Sequence, residues 1–228
     1  NFIFFILSPR IYGESFFNNK DIVFLSLTTI AFYYCFKSID KTSYKNLLIF
    51  SIFCSLATAQ RIIGIFLPIT FIIFYFLSVI SDNKKLKDLN LIIFFGFFYL
   101  IFLILFWPAL WNNPIKNITL AINYFSNVPL AIKMLFNGKY ISNLNLPYSY
   151  IFFWIFITTP IIYIVLFIFG YIEVLKNFFF NLRNIDNKRS GDDLWKDSNE
   201  KKDLLVLFII TCFVSFLIFY NVSLYTGW

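Results

Sequence analysis

The sequence predicts an all-α fold, a polytopic bundle of transmembrane helices with about six spans. Three observations predict it. First, of 228 residues 60% are hydrophobic and 14% charged, with mean hydropathy +0.76, whereas soluble domains run at roughly half apolar and a quarter charged. Second, the apolar runs are long enough for helices rather than barrel strands. Third, the basic residues divide unevenly between alternate connections. A soluble enzyme, a disordered tail and a disulfide-stapled secreted domain are thereby excluded. The chain has no His, which removes His bases, His metal ligands and His pH switches. Cys35, Cys54 and Cys212 lie in apolar runs without paired spacing and read as small buried apolar residues.

The elements follow in order. Residues 1–8 are apolar and read as the tail of a truncated span or a re-entrant piece. The chain starts without Met and stops at Trp228 just after an apolar run. It is therefore read as a fragment truncated at both ends, with residues 1–228 part of one transmembrane domain. The first full span is residues 19–36. Residues 44–80 would form one helix about 55 Å long, nearly twice the hydrocarbon thickness. They are therefore two spans, broken at the polar cluster Thr58, Ala59, Gln60 and Arg61. The fourth span, 89–107, is stopped by Pro108. Residues 108–149 form a long polar-aromatic loop, within which 114–136 is expected to make interfacial amphipathic helices. The fifth span is 150–172, where Thr158 and Thr159 can bond back to carbonyls freed near Pro160. Residues 173–203 form a charged loop, its mixed-charge part 186–203 reading as a solvated, flexible linker. The sixth span is 204–220. There is no internal repeat, and no low-complexity segment beyond a Phe, Ile, Asn and Lys bias.

Alternation sorts the connections into two faces. Residues 37–45, 81–88 and 173–203 share one face and hold thirteen of the 19 Lys and Arg, so the positive-inside rule makes that face cytoplasmic. Ten of the twelve acids fall there too, leaving only Glu14 and Asp21 outside. The net charge of +7 therefore splits into +3 inside and +4 outside. Five of seven Pro, together with Trp107, Trp111 and Trp228, lie on the outer side. Function is expected at that outer membrane–water boundary.

The candidate residues gather there. Asp21, at the mouth of the first span, is either a first-turn acid favoured by the helix dipole or a carboxylate facing an outer cavity. In the second role it orients an acceptor hydroxyl or amine, or holds a cation near a phosphate. Glu14 is either a solvated loop acid or its companion. Arg61, in a tight turn between spans, is a permanent cation that needs a protein carboxylate or a lipid phosphate, unless it snorkels to headgroups. Arg10 and Lys20 are weaker versions of the same idea. Trp107 and Trp111 flank the Pro108 break where aromatic belts form. Tyr148 and Tyr150 follow Pro147, which turns the chain into the fifth span. Asn117 and Asn221 open glycosylation sequons of the kind that chance supplies in an Asn-rich chain. No Walker loop, GxSxG, HExxH or CxxC is present.

The order of these pieces resembles the dolichyl-phosphate-mannose–protein mannosyltransferases and the related lipid A aminoarabinose transferases, polytopic GT-C glycosyltransferases. The matching residues are Ser8-Pro9-Arg10-Ile11-Tyr12-Gly13-Glu14-Ser15-Phe16 with Asp21, and then 57–64 with Arg61. Next come Trp107-Pro108 to Pro114, Gly138, Leu146-Pro147-Tyr148-Ser149-Tyr150 and Thr158-Thr159-Pro160. The last is Leu224-Tyr225-Thr226-Gly227-Trp228. The resemblance covers almost the whole chain. It implies a membrane glycosyltransferase that moves a hexose-like sugar or a pentose from a polyprenyl-phosphate donor to a protein or glycolipid acceptor. The reaction would occur on the non-cytoplasmic face, the periplasmic face of a bacterial inner membrane. The family's principal acid is expected before Asn1, with Asp21 at its second acidic position and Glu14 beside it. Arg61, with Lys20 and Arg10, would face the donor phosphate. Trp107, Trp111, Tyr148, Tyr150, Tyr225 and Trp228 would line the lipid and sugar groove. The resemblance leaves a divalent metal open, and implies membrane lipids but no nucleic acid as partners. The rival classes are a transporter or lipid flippase, whose mark is repeated halves with midplane charges, and a non-enzymatic membrane anchor.

Overall fold

The computed structural model describes residues 8–40, 43–81, 85–126, 133–142, 145–147, 149–183 and 198–219. These are mostly helical. The helices are α1 (Pro9–Phe17), α2 (Asn19–Asp40), α3 (Tyr44–Gln60), α4 (Phe66–Ser81), α5 (Lys85–Phe106), α6 (Pro114–Ser126), α7 (Ser149–Thr158), α8 (Ile161–Arg183) and α9 (Ser198–Phe219). Short 3₁₀ turns, Ile62–Ile65 and Pro108–Leu110, precede α4 and follow α5. One antiparallel hairpin pairs β1 (Lys133–Phe136) with β2 (Lys139–Ser142), with Phe136 opposite Lys139.

Helix α3 is the centre, flanked by α2 and α5. Its buried face carries Ser51, Cys54, Ser55 and Thr58 beside Leu47 and Phe50. Buried hydroxyls are costly unless bonded. Here each turns back onto its own helix: Ser51 donates to the Leu48 carbonyl (2.7 Å), Ser55 to that of Ile52 (2.8 Å) and Thr58 to that of Cys54 (2.8 Å). Because the Thr58 proton is spent on Cys54, the Tyr99 hydroxyl from α5 is the donor in the 3.1 Å contact with Thr58 Oγ1. Large rings fill the space around this face. Phe50 stacks on Phe95 at 4.8 Å, and Phe71 of α4 meets Phe50 edge-on at 4.9 Å. All three rings are buried, and such aromatic pairs add about 0.5–1.5 kcal/mol beyond burial. Leu205 of α9 joins the same core.

Among the described residues, two helices are long and apolar enough to cross a membrane, Leu89–Phe106 and Ile161–Phe180. None of the second is buried, and Ile161 and Phe169 are more than two-thirds exposed. A soluble core helix of that composition would be covered.

The helices fall close to the expected spans, and the expected break is where α3 stops at Gln60. Several boundaries differ. Residues 150–172, expected as one span, fall on two helices, because Pro160 has no N–H to continue the ladder, and the apolar stretch long enough to cross a membrane is Ile161–Phe180. Thr158 donates its hydroxyl to the Trp154 carbonyl (2.7 Å) at the break. The charged loop 173–203 is shorter than expected, since α8 runs on to Arg183 and α9 starts at Ser198, taking residues 198–203 out of the expected linker. Residues 8–20, read as a connection, contain α1. Among its described residues, the stretch 114–136 holds helix α6 over Pro114–Ser126 and ends in strand β1. The reason is Asn137-Gly138, both at positive φ (51° and 75°), the dipeptide that closes a two-residue hairpin. Residues 1–7, Tyr148, Tyr225 and Trp228 lie outside the described residues.

Candidate functional site

Two segments build the site, both at the end of the bundle where α2 begins and α3 stops. The first is the α1–α2 junction. Asn18 closes α1, its backbone N–H donating to the Glu14 carbonyl at 2.7 Å. Its side chain then caps α2: Oδ1 accepts the Asp21 N–H (3.2 Å), and Nδ2 donates to Asp21 Oδ2 (2.7 Å). This is a reciprocal cap of the capping-box kind, except that the acid returns to the side-chain amide instead of the backbone N–H. Asp21 in the first turn also suits the positive helix end.

The second segment is the turn after α3. Arg61 leaves the helix extended, at φ −142° and ψ 127°. Its backbone is held on both sides, with its N–H on the Ala57 carbonyl (2.9 Å) and its own carbonyl accepting the Gly64 N–H (2.8 Å). Gly64 packs directly on the backbone of α3. A Cβ there would stand 2.7 Å from Ala57 C and from Thr58 N. Only glycine lets the turn fold this closely, and that closeness sets where Arg61 emerges.

The two segments meet in an ion pair, with Arg61 Nη2 donating to Asp21 Oδ1. The side chains are 37% and 42% exposed, so solvent or a ligand can reach them. One Asp21 oxygen faces Arg61 and the other faces Asn18, and each keeps a lone pair for a further donor. Arg61 Nε is buried and has no hydrogen-bond partner among the described residues. A guanidinium that uses one of its five N–H groups on Asp21 retains the fork that grips a phosphate.

The remaining candidates are arranged around this pair or away from it. Arg10 and Lys20 are exposed and Glu14 is half-buried. None of the three joins an ion pair with another described residue. Trp107 packs against the main core. Trp111 is two-thirds exposed, but its indole N–H donates to the Ile104 carbonyl at 2.9 Å. That carbonyl would pair with residue 108 in a continuing helix, and Pro108 has no N–H to offer. Asn117 donates its amide to the Ala109 carbonyl, which ties α6 to the 3₁₀ turn and occupies the sequon nitrogen. Tyr150 is buried in a separate cluster with Phe136 (5.3 Å) and Trp154 (6.2 Å). Among the described residues no three of His, Cys, Asp and Glu come together to hold a metal. Sequence reasoning missed Asn18 and Gly64. The signal for Asn18 was an Asn followed three residues later by an acid at a helix start.

No protein-family model, curated protein or solved structure matches the chain.

Proposed function

We propose that the chain belongs to a multi-pass membrane glycosyltransferase that takes a sugar from a polyprenyl-phosphate donor and passes it to a protein or glycolipid acceptor on the non-cytoplasmic face. The acceptor oxygen attacks the anomeric carbon, the bond to the donor phosphate breaks, and the acceptor proton leaves to a base. Arg61 faces the phosphate and stabilises the charge that develops as it departs. Asp21 orients the acceptor and assists the base. Lys20 and Arg10 add positive potential near the phosphate, and Trp107 and Trp111, at the end of α5, border the lipid and sugar groove.

The observation that supports this reading is the Asp21–Arg61 pair itself. It sets an acid beside a guanidinium whose terminal Nη groups keep spare donors, at the ends of two apolar-rich helices and within reach of solvent. A transporter or flippase would be expected to carry its charges near mid-helix. Here Asp21 is in the first turn of α2 and Arg61 is the first residue past α3. The bare face of α8 supports membrane insertion. The test is transfer of a labelled hexose from an undecaprenyl-phosphate-linked donor by the full-length protein in membranes. Asp21→Asn and Arg61→Ala are expected to abolish transfer while leaving insertion intact. Normal turnover in both variants refutes the assignment.

A further inference from the structure

We propose that Asn18 is a positioning residue: it clamps the Asp21 carboxylate in the orientation that presents one oxygen to Arg61 and leaves the carboxylate ready for an acceptor group. The inference deepens the glycosyltransferase reading and rests on it for the catalytic consequence, though not for the clamp itself.

The geometry carries it. Asn18 spends both ends of its amide on a single residue, Oδ1 on the Asp21 backbone N–H and Nδ2 on Asp21 Oδ2. A cap alone needs only the first of these, since an oxygen acceptor satisfies the helix N-terminus. The second bond does nothing for the helix ladder. It fixes the side-chain torsion of Asp21, and with Arg61 on Oδ1 it holds the carboxylate at two points. Asp21 is 42% exposed, and an exposed carboxylate held by Arg61 alone would swing with that long side chain. Asn18 is anchored in turn, because its N–H closes α1 on the Glu14 carbonyl at 2.7 Å. A rigid acid is what transfer chemistry asks of a group that aims an acceptor, since misplacement of about 1 Å can cost roughly 100-fold.

The two roles of Asn18 separate by substitution. Asn18→Ser and Asn18→Asp keep an oxygen that caps α2 about as well as Asn, but both lose the Nδ2 donor, and Asp also sets a second carboxylate against Asp21. Asn18→Ala loses cap and clamp together. The experiment uses the full-length protein in membranes with two readouts. The first is labelling of Asp21 by a water-soluble carbodiimide, quantified by mass spectrometry with Glu14 as internal reference. The second is steady-state transfer from an undecaprenyl-phosphate-linked hexose. Labelling of Asp21 is expected to rise several-fold in Asn18→Ser while Glu14 is unchanged and the melting temperature stays near wild type. In the same variant kcat falls about tenfold or more with KM for the donor within about twofold, the signature of lost orientation rather than lost donor binding. Unchanged Asp21 labelling in both Asn18→Ser and Asn18→Asp overturns the clamp. Raised labelling with wild-type kcat overturns the positioning role. Raised labelling in a protein whose wild type transfers no sugar leaves the clamp standing and removes the transferase reading instead.

Discussion

Asp21 and Arg61 stand forty residues apart in sequence and in direct contact in space, the carboxylate of one receiving the guanidinium of the other. The contact joins the start of α2 to the stop of α3. Both partners are more than one-third exposed, so the pair is worth only about 0–1 kcal/mol to folding. Asp21→Asn and Arg61→Ala are therefore expected to insert normally and to melt, in detergent, close to wild type. A large loss of thermal stability in either would mean that the pair serves architecture rather than chemistry.

Gly64 should be far less tolerant. The Cβ of Gly64→Ala would lie 2.7 Å from backbone atoms of Ala57 and Thr58, which cannot rotate away as a side chain would. The expected cost is about 1–3 kcal/mol, read as a lower thermal midpoint. Because the turn also places Arg61, transfer is expected to fall in the fraction that stays folded.

Trp111→Phe removes the indole N–H from the Ile104 carbonyl, at an expected cost of about 1 kcal/mol. Pro108→Ala restores a backbone N–H to the same acceptor. In that background the Trp111→Phe cost should shrink, and a double-mutant cycle of thermal midpoints would show the coupling. Equal costs in both backgrounds would mean that the hydrogen bond is not what Trp111 contributes.

The helices were legible because apolar length and Pro-delimited breaks are local signals. Residues 44–80 had to break, and the polar cluster ending in Arg61 marked where. Arg61 was also legible as a cation in need of an anion, since a permanent charge among apolar spans has few alternatives. That its partner is Asp21 was not, because the pairing depends on how α2 packs on α3. Gly64 carried no signal of its own beside Arg61, since close approach of two backbones leaves no pattern in one sequence. The hairpin at Asn137-Gly138 carried a clear turn signal that the amphipathic reading of 114–136 overrode. Trp111 read as an interface anchor, and its hydrogen bond to Ile104 became visible only with the 3₁₀ turn that brings it back.

Sidedness gives a further prediction. Lys20, Lys45, Lys139 and Arg183 are all exposed and lie in different connections or helix ends. Single Cys replacements at these positions, in a background lacking the three native Cys, are to be probed with a membrane-impermeant maleimide on intact cells whose outer barrier is permeabilised. Lys20→Cys and Lys139→Cys should label, and Lys45→Cys and Arg183→Cys should label only after the membrane is opened. The reverse pattern would place Asp21 and Arg61 on the cytoplasmic face, where the proposed donor geometry fails.

The most direct measurement remains sugar transfer itself. Full-length wild type, Asp21→Asn and Arg61→Ala are compared in membranes at matched abundance, with a labelled hexose on undecaprenyl phosphate as donor. Transfer by the wild type and its loss in both variants, with insertion unchanged, is the predicted result. Equal transfer in all three would contradict the claim that the Asp21–Arg61 pair is the working centre of this protein.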